Sequence, residues 1–125
     1  MINFPRQVRL TRPEEFQHVF ERGRHRRLSG QGLIARVREN GVQQARLGLA
    51  ISKRNLKRAV DRNLVKRLAR ESFRRYQSQL PAVDIVILSQ PSLLGMLNTD
   101  ISKQLALIWQ QVQRQYPSRA PIVTI

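Results

Sequence analysis

Residues 52–75, SKRNLKRAVDRNLVKRLARESFRR, contain ten lysines and arginines but only two acidic residues, Asp61 and Glu71. Residues 53–58 are interpreted as a loop that leads into a helix. On a helical wheel that starts at Asp61 and advances about 100° per residue, one broad arc contains Leu64, Val65, Leu68, Ala69, Ser72 and Tyr76, with Phe73 at its margin. The opposite side carries Asn63, Lys66, Arg67, Arg70 and Arg74. The pattern predicts an amphipathic helix that buries one face and presents a basic face, on which Arg67 and Glu71 are spaced to form an ion pair.

The charge of this helix indicates its partner. A solvated helix face normally mixes charges of both signs, whereas this one is almost entirely basic, so we expect contact with nucleic acid rather than a merely solvated surface. The whole chain has 23 lysines and arginines against 8 aspartates and glutamates, a formal net charge of +15. Such a protein is drawn to nucleic acid and loses affinity steeply as salt rises, because binding releases counterions from the phosphates.

Length and composition limit the remaining possibilities. A chain of 125 residues, 41% hydrophobic, fits one domain over residues 1–125 with a single core. The absence of cysteine excludes disulfides, cysteine zinc sites and thiol catalysis. No apolar run is long enough to span a bilayer, and residues 1–10 contain no signal-peptide stretch, so we expect no membrane association and a cytoplasmic location.

A first helix is predicted after an extended lead-in formed by residues 1–10. Thr11 can cap this helix and Glu14 can complete a capping box, and the helix is expected to end near residue 22. Its apolar stripe contains Phe16, Val19 and Phe20, and the periodicity alone favours the interpretation that both phenylalanine rings fill the core. Residues 22–27 are interpreted as a polar, arginine-rich loop.

Three segments have strand patterns. Residues 32–38 place Leu33, Ala35 and Val37 on one face, and are predicted to pair antiparallel with residues 45–52 through a turn at Asn40 and Gly41. The segment 83–89, VDIVILS, is almost continuously apolar, which is typical of a strand covered on both faces.

A last helix is predicted from about Asn98 to Tyr116, followed by a loose tail over residues 117–125. Its buried face contains Ile101, Leu105, Ile108 and Val112, and Trp109 beside that face is expected to be a packing residue. The order of elements predicts an α+β fold, in which three helices pack on a small mixed sheet of about four strands.

No set of residues predicts catalysis by this chain alone. The acidic residues that could bind a metal are scattered: Glu14, Glu15, Glu21, Glu39, Asp61, Glu71, Asp84 and Asp100. His18 and His25 are the only histidines, and they fall in different predicted elements. There is neither a P-loop nor a Ser/His/Asp arrangement. We therefore expect no catalytic residue and no metal site in the chain itself.

The spaced residues of the basic segment resemble the signature helix of the bacterial ribonuclease P protein subunit. The resemblance rests on Lys57, Arg58, Arg62, Asn63, Lys66, Arg67, Arg70, Glu71, Phe73 and Arg74. At Leu56 the chain departs from many family members, in which a glycine is common. The family fold implies a left-handed crossover around the basic helix, whereas the general rule for parallel strands gives a right-handed one.

This resemblance also implies a function. In ribonuclease P the RNA carries the active site and coordinates Mg²⁺, while the protein binds that RNA and the 5′ leader of precursor tRNA, so the chain would be a subunit of an endoribonuclease. Contact with the catalytic RNA would be made by Lys53, Arg54, Lys57, Arg58, Arg62, Asn63, Lys66, Arg67 and Arg70. Phe16 and Phe20 would line the leader cleft, where bases of a single strand can stack on exposed rings.

Two other classes of protein share some of these features. A structural RNA-binding protein, such as one of the ribosome, has similar size and charge and also lacks catalytic groups. A DNA-binding module is the second alternative, although the chain shows neither a two-helix reading unit nor heptads beyond the basic helix.

Overall fold

The computed structural model describes residues 9–20, 26–41 and 44–116, and three helices and four strands account for most of them. The elements in chain order are α1 (Pro13–Phe20), β1 (Arg26–Ser29), β2 (Leu33–Glu39), β3 (Arg46–Ala50), α2 (Ala59–Tyr76), β4 (Val83–Ser89) and α3 (Asn98–Gln115). The predicted α+β class is thereby confirmed. The ends of the chain, including the predicted tail and most of the lead-in, lie outside the described residues, as does the predicted end of the first helix.

The sheet has the strand order β1-β2-β4-β3, in which β2 pairs antiparallel with β1 and β4, and β3 pairs parallel with β4. The predicted hairpin between the strands now defined as β2 and β3 is therefore wrong, because β4 lies between them. Asn40 and Gly41 do form a bend, with φ +70° at Gly41. The Asn40 N–H donates to the carbonyl oxygen of Ala82, the residue just before the start of β4.

β4 takes the centre of the sheet because its side chains are apolar on both faces. Val83, Ile85 and Ile87 join the main core, whereas Val86 packs with Leu10 and Val19 in a smaller cluster on the opposite face. This arrangement confirms the prediction of a strand covered on both faces. Because β3 and β4 are parallel neighbours joined through α2, the crossover exists, and its left hand stays a prediction.

The start of α1 differs from its prediction by one residue. Pro13 is the first helical residue, and Glu15 rather than Glu14 accepts hydrogen bonds at Oε1 from the backbone N–H groups of Thr11 (3.1 Å) and Arg12 (2.9 Å). Glu15 therefore stands at the third helical position, from which a carboxylate reaches back to the free donors of the first turn. A second correction concerns the polar loop, since Arg26 and Arg27 belong to β1.

α2 and α3 cover one face of the sheet and pack on each other. The predicted buried face of α3 is confirmed, and Trp109 is fully buried as a packing residue. Its indole Nε1 donates to Ser72 Oγ at 2.8 Å, and its ring meets Phe73 of α2 edge to face, with 5.6 Å between the ring centroids. This contact fixes the rotation of α2 about its own axis.

Candidate nucleic-acid interface

The basic face of α2 points away from the core. The other side of the helix buries Val65, Ala69, Ser72 and Phe73. The helical wheel placed the first three in the buried arc and Phe73 at its margin. On the outward side Asn63 and Arg67 are exposed, whereas Lys66, Arg70 and Arg74 are half-buried. The Nε atom of Arg74 has no hydrogen-bond partner.

The ion pairs of this helix leave its cations available. The predicted pair between Arg67 and Glu71 is confirmed, with 3.8 Å between Nε and Oε1, and Arg58 lies 3.9 Å from Asp61. Both pairs are long and solvent-exposed, with 68% of the Arg67 side chain and 77% of the Arg58 side chain accessible. Such pairs contribute little stability, so both arginines can exchange these contacts for phosphate oxygens.

The loop before α2 adds four exposed cations, Lys53, Arg54, Lys57 and Arg58. Ile51 and Leu56 anchor this loop because both side chains are buried in the main core. The backbone is also closed by a hydrogen bond from the N–H of Leu56 to the carbonyl oxygen of Ser52, at 3.1 Å.

Polar side chains attach the same loop to Ser89, the last residue of β4. The Ser52 N–H donates to Ser89 Oγ at 2.9 Å, and Ser89 Oγ donates to Asn55 Oδ1 at 2.7 Å. The loop that carries the four cations is consequently held to the central strand of the sheet as well as to the core.

Arg62 turns back toward this loop. Its Nη1 donates to the carbonyl oxygens of Leu56 and Lys57, both at 2.8 Å. The family resemblance implied an RNA contact at Arg62, and these two hydrogen bonds show that Arg62 also holds the loop, which helical spacing could not reveal.

A different surface lies on the sheet face opposite α2 and α3, where α1 packs. Phe16 is half-buried and packs against the small cluster that contains Val86. Phe20 belongs to α1, but its side chain lies outside what the structure describes. Beyond α1, Ile34, Leu88 and Ala50 stand side by side in the sheet register, with Ala50 exposed and the other two half-buried. We call these three residues the open row.

Arg46, which the sequence analysis missed, fixes α1 on this face. Its Nε and Nη2 each lie 2.8 Å from one oxygen of the buried Asp84 carboxylate, and its Nη1 lies 3.3 Å from Glu15 Oε2. Asn40 Nδ2 also donates to Asp84 Oδ1, at 2.9 Å. A sequence signal for Arg46 existed, because Asp84 in an otherwise apolar strand requires a charged or hydrogen-bonding partner.

These contacts shift two pKa values. The pKa of Glu15 is lowered, first by the hydrogen bond from the Arg12 backbone N–H, then by that from Thr11 and by the charge of Arg46, which together outweigh partial burial. The pKa of Arg46 is raised, chiefly by its hydrogen bonds to Asp84. Both groups are charged near neutral pH, so the ion pair that holds α1 is formed there.

Within residues 9–20, 26–41 and 44–116, no three His, Cys, Asp or Glu side chains are grouped as a metal site would require. No helix among these described residues is long and apolar enough to cross a membrane.

Comparison with known proteins identifies the family. The model of the ribonuclease P family matches residues 4–113. The ribonuclease P protein component of Thioalkalivibrio sulfidiphilus is 47% identical over 109 residues, which are 87% of this chain and 89% of that protein. The chain belongs to the ribonuclease P protein family. The ribonuclease P protein component of Vibrio parahaemolyticus agrees, with 44% identity over 93% of this chain and 95% of its own.

Solved ribonuclease P proteins share the fold. That of Staphylococcus aureus superposes with a TM-score of 0.74 at 23% identity, over 88% of this chain and 95% of its own. That of Thermotoga maritima gives a TM-score of 0.72 at 25% identity, over 83% and 96% respectively. Family membership confirms the resemblance seen in the basic helix and makes the chain a protein component of ribonuclease P, a tRNA-processing endoribonuclease. The ribosomal alternative is not favoured.

Proposed function

We propose that the chain binds the catalytic RNA of ribonuclease P through the loop before α2 and the basic face of α2. The residues that carry this contact are Lys53, Arg54, Lys57, Arg58, Arg62, Asn63, Lys66, Arg67 and Arg70. The observation that supports it best is that four exposed cations stand on a loop anchored by Ile51 and Leu56, directly before the basic helix. Cations that are already held in place lose little conformational entropy when they bind phosphates. The arginines can also form two parallel hydrogen bonds to one phosphate group.

The 5′ leader of precursor tRNA is the second ligand in this proposal. It would lie on the open row beside α1, with bases stacked against Phe16 and Phe20. A single strand has free base faces, and stacking on an aromatic ring accepts every base, which suits leaders of varied sequence. The half-buried ring of Phe16 and the apolar floor of the open row support this assignment.

Cleavage itself is assigned to the RNA, which would hold the Mg²⁺ ions. Among the protein carboxylates, Asp84 and Glu15 are both bound to Arg46, so they do not form a free pair of ligands for Mg²⁺. The protein would contribute positive charge between two polyanions, which lowers their repulsion and hence the Mg²⁺ concentration that the reaction requires. The compartment we propose for this activity is the cytoplasm.

The decisive test is 5′ cleavage of a precursor tRNA by bacterial ribonuclease P RNA at low Mg²⁺, with and without the protein, and with the protein alone. We expect cleavage only when RNA and protein are combined. Tight binding to the RNA without any stimulation would contradict the proposal and would favour a purely structural RNA-binding role. Cleavage by the protein alone would show that its own side chains catalyse the reaction.

A further inference from the structure

Gly48 occupies a position where glycine is costly. It lies in the middle of β3, and a glycine within a strand loses more conformational entropy on folding than alanine does and provides no side chain to pack. Its φ is not in the left-handed region, since the described glycines with positive φ are Gly32, Gly41 and Gly95. The reason for glycine must therefore be space rather than backbone conformation.

That space is occupied by α1 and the segment before it. A Cβ atom added at Gly48 would lie 2.9 Å from both Cε1 and Cζ of Phe16, and 3.0 Å from Cβ of Leu10. These distances are shorter than carbon atoms tolerate without movement, so even alanine would displace the ring. The ring of Phe16 lies against β3 because Gly48 has no side chain.

Three consecutive residues of β3 hold the α1 region by different contacts. Arg46 pairs with Glu15, the carbonyl oxygen of Leu47 accepts from the Leu10 N–H at 2.8 Å, and Gly48 receives the ring of Phe16. The first two contacts hold the start of α1 and its lead-in against β3. Since the backbone is held there, a side chain at position 48 would move the ring itself rather than the helix.

The open row is next to Gly48 on the same face of the sheet. Gly48 pairs with Val86, and the next pair on that face is Ala50 with Leu88; Leu88, like Phe16, packs against the cluster that contains Val86. A ring pushed away from β3 would change the wall of any groove above Ala50 and Leu88.

We propose that Gly48 is a positioning residue for leader binding, which it serves by letting the ring of Phe16 lie against β3 at the edge of the open row. The inference rests on the proposed leader site and adds the residue that shapes it. Gly48 does not contact the leader; its effect on leader binding passes through the ring of Phe16.

The test uses the assembled holoenzyme with Gly48→Ala, Phe16→Ala and the double variant. For each, the affinity for precursor tRNA with a leader is divided by that for the same tRNA without one. We expect Phe16→Ala to lower this ratio by about tenfold, within the range for one base stacked on a ring, and Gly48→Ala to lower it several-fold. In the Phe16→Ala background, Gly48→Ala should have no further effect, because the ring through which it acts is gone. Affinity for the catalytic RNA should be the same in all variants.

The results of this test distinguish a failure of the role inferred for Gly48 from a failure of the proposed leader site. If Phe16→Ala leaves the ratio unchanged, the leader site itself is wrong and the role of Gly48 fails with it. If Phe16→Ala lowers the ratio but Gly48→Ala does not, or if the two effects add, the leader site stands and Gly48 does not act through the ring.

Thermal unfolding of the free protein provides a test that holds even if Gly48→Ala folds poorly. Gly48→Ala should lower the Tm clearly in the native sequence and less in the Phe16→Ala background, where the ring no longer obstructs the new Cβ and only Leu10 Cβ, at 3.0 Å, remains close to it. An equal loss of Tm in both backgrounds would overturn the inference.

Discussion

Replacing Arg62 by alanine tests whether this arginine shapes the basic loop or only contacts RNA. The substitution removes two hydrogen bonds of 2.8 Å, donated by Nη1 to the carbonyl oxygens of Leu56 and Lys57. A hydrogen bond to a charged group is worth about 1.5–3 kcal/mol when its loss leaves the partner unsatisfied. Leu56 is buried and Lys57 is exposed, so water can replace the second bond more readily than the first.

We therefore expect Arg62→Ala to reduce the free energy of unfolding by about 2 kcal/mol. With an m-value of about 2 kcal/mol/M, the urea midpoint falls by about 1 M. If RNA must reorder the loop on binding, the same energy lowers affinity for the catalytic RNA by at most about 30-fold. The slope of log affinity against log salt should fall by no more than about 0.7–0.9, the loss expected for the one phosphate contact proposed for Arg62, because the four loop cations are all retained.

Arg67→Ala is the matched control, since Arg67 lies on the same helix and its side chain is exposed. It loses only a 3.8 Å surface ion pair with Glu71, so stability should change by no more than about 0.5 kcal/mol. Unchanged stability in Arg62→Ala, together with a loss of salt dependence equal to that of Arg67→Ala, would refute the loop-shaping role. Arg62 would then be a phosphate contact like its neighbours.

Three further predictions follow from the same structure. Arg67→Ala should lower the slope of log affinity for the catalytic RNA against log salt by about 0.7–0.9, as measured by binding titrations at several salt concentrations; an unchanged slope would exclude a phosphate contact at this residue. Trp109→Phe should reduce stability by about 2–4 kcal/mol, because it leaves a void and removes the donor to Ser72 Oγ. In urea titrations Ser72→Ala should cost less, and the double variant should lose less than the sum, whereas strict additivity would argue against the hydrogen bond. The folded-state pKa of Glu15 lies below its ordinary value of 4.5, so its stabilisation is complete above about pH 4.5 and is lost as pH falls through the lower folded value. Glu15→Gln should therefore be less stable than the native sequence at pH 7, and urea unfolding should show this difference shrinking as pH falls below about 4.5; a constant difference would contradict stabilisation by the carboxylate charge.

The sequence predicted best those elements in which the spacing of apolar residues shows which face is buried. The basic helix, the central strand and the last helix each have an apolar pattern that matches one periodicity, and each was located to within about a residue or two. The same logic explains why Trp109 could be recognised as a packing residue, because it adjoins a regular apolar face. The outward position of the basic face of α2 follows directly, since a helix that buries one side must expose the other.

The contacts that the sequence could not predict join residues far apart in the chain. The Asn40-Gly41 pair is typical of a turn, but a turn does not determine which strands become neighbours. β4 must be covered on both faces and therefore lies between β2 and β3, and it begins some 40 residues after this turn. Arg46 and Gly48 were missed for a related reason. Arg46 pairs with a carboxylate on β4, and Gly48 makes room for a ring on α1. Neither partner can be inferred from the local pattern of β3.

The strongly basic surface affects folding and RNA binding in opposite ways. A net charge of +15 on 125 residues repels itself in the compact state, and salt relieves that repulsion, whereas the same salt weakens attraction to phosphates. A loop with four cations and little support would therefore be pushed open in the absence of RNA. Burial of Ile51 and Leu56, attachment to Ser89 and the hydrogen bonds of Arg62 oppose this opening. The apolar and polar anchors of the loop thus keep the proposed RNA-binding surface formed before RNA binds.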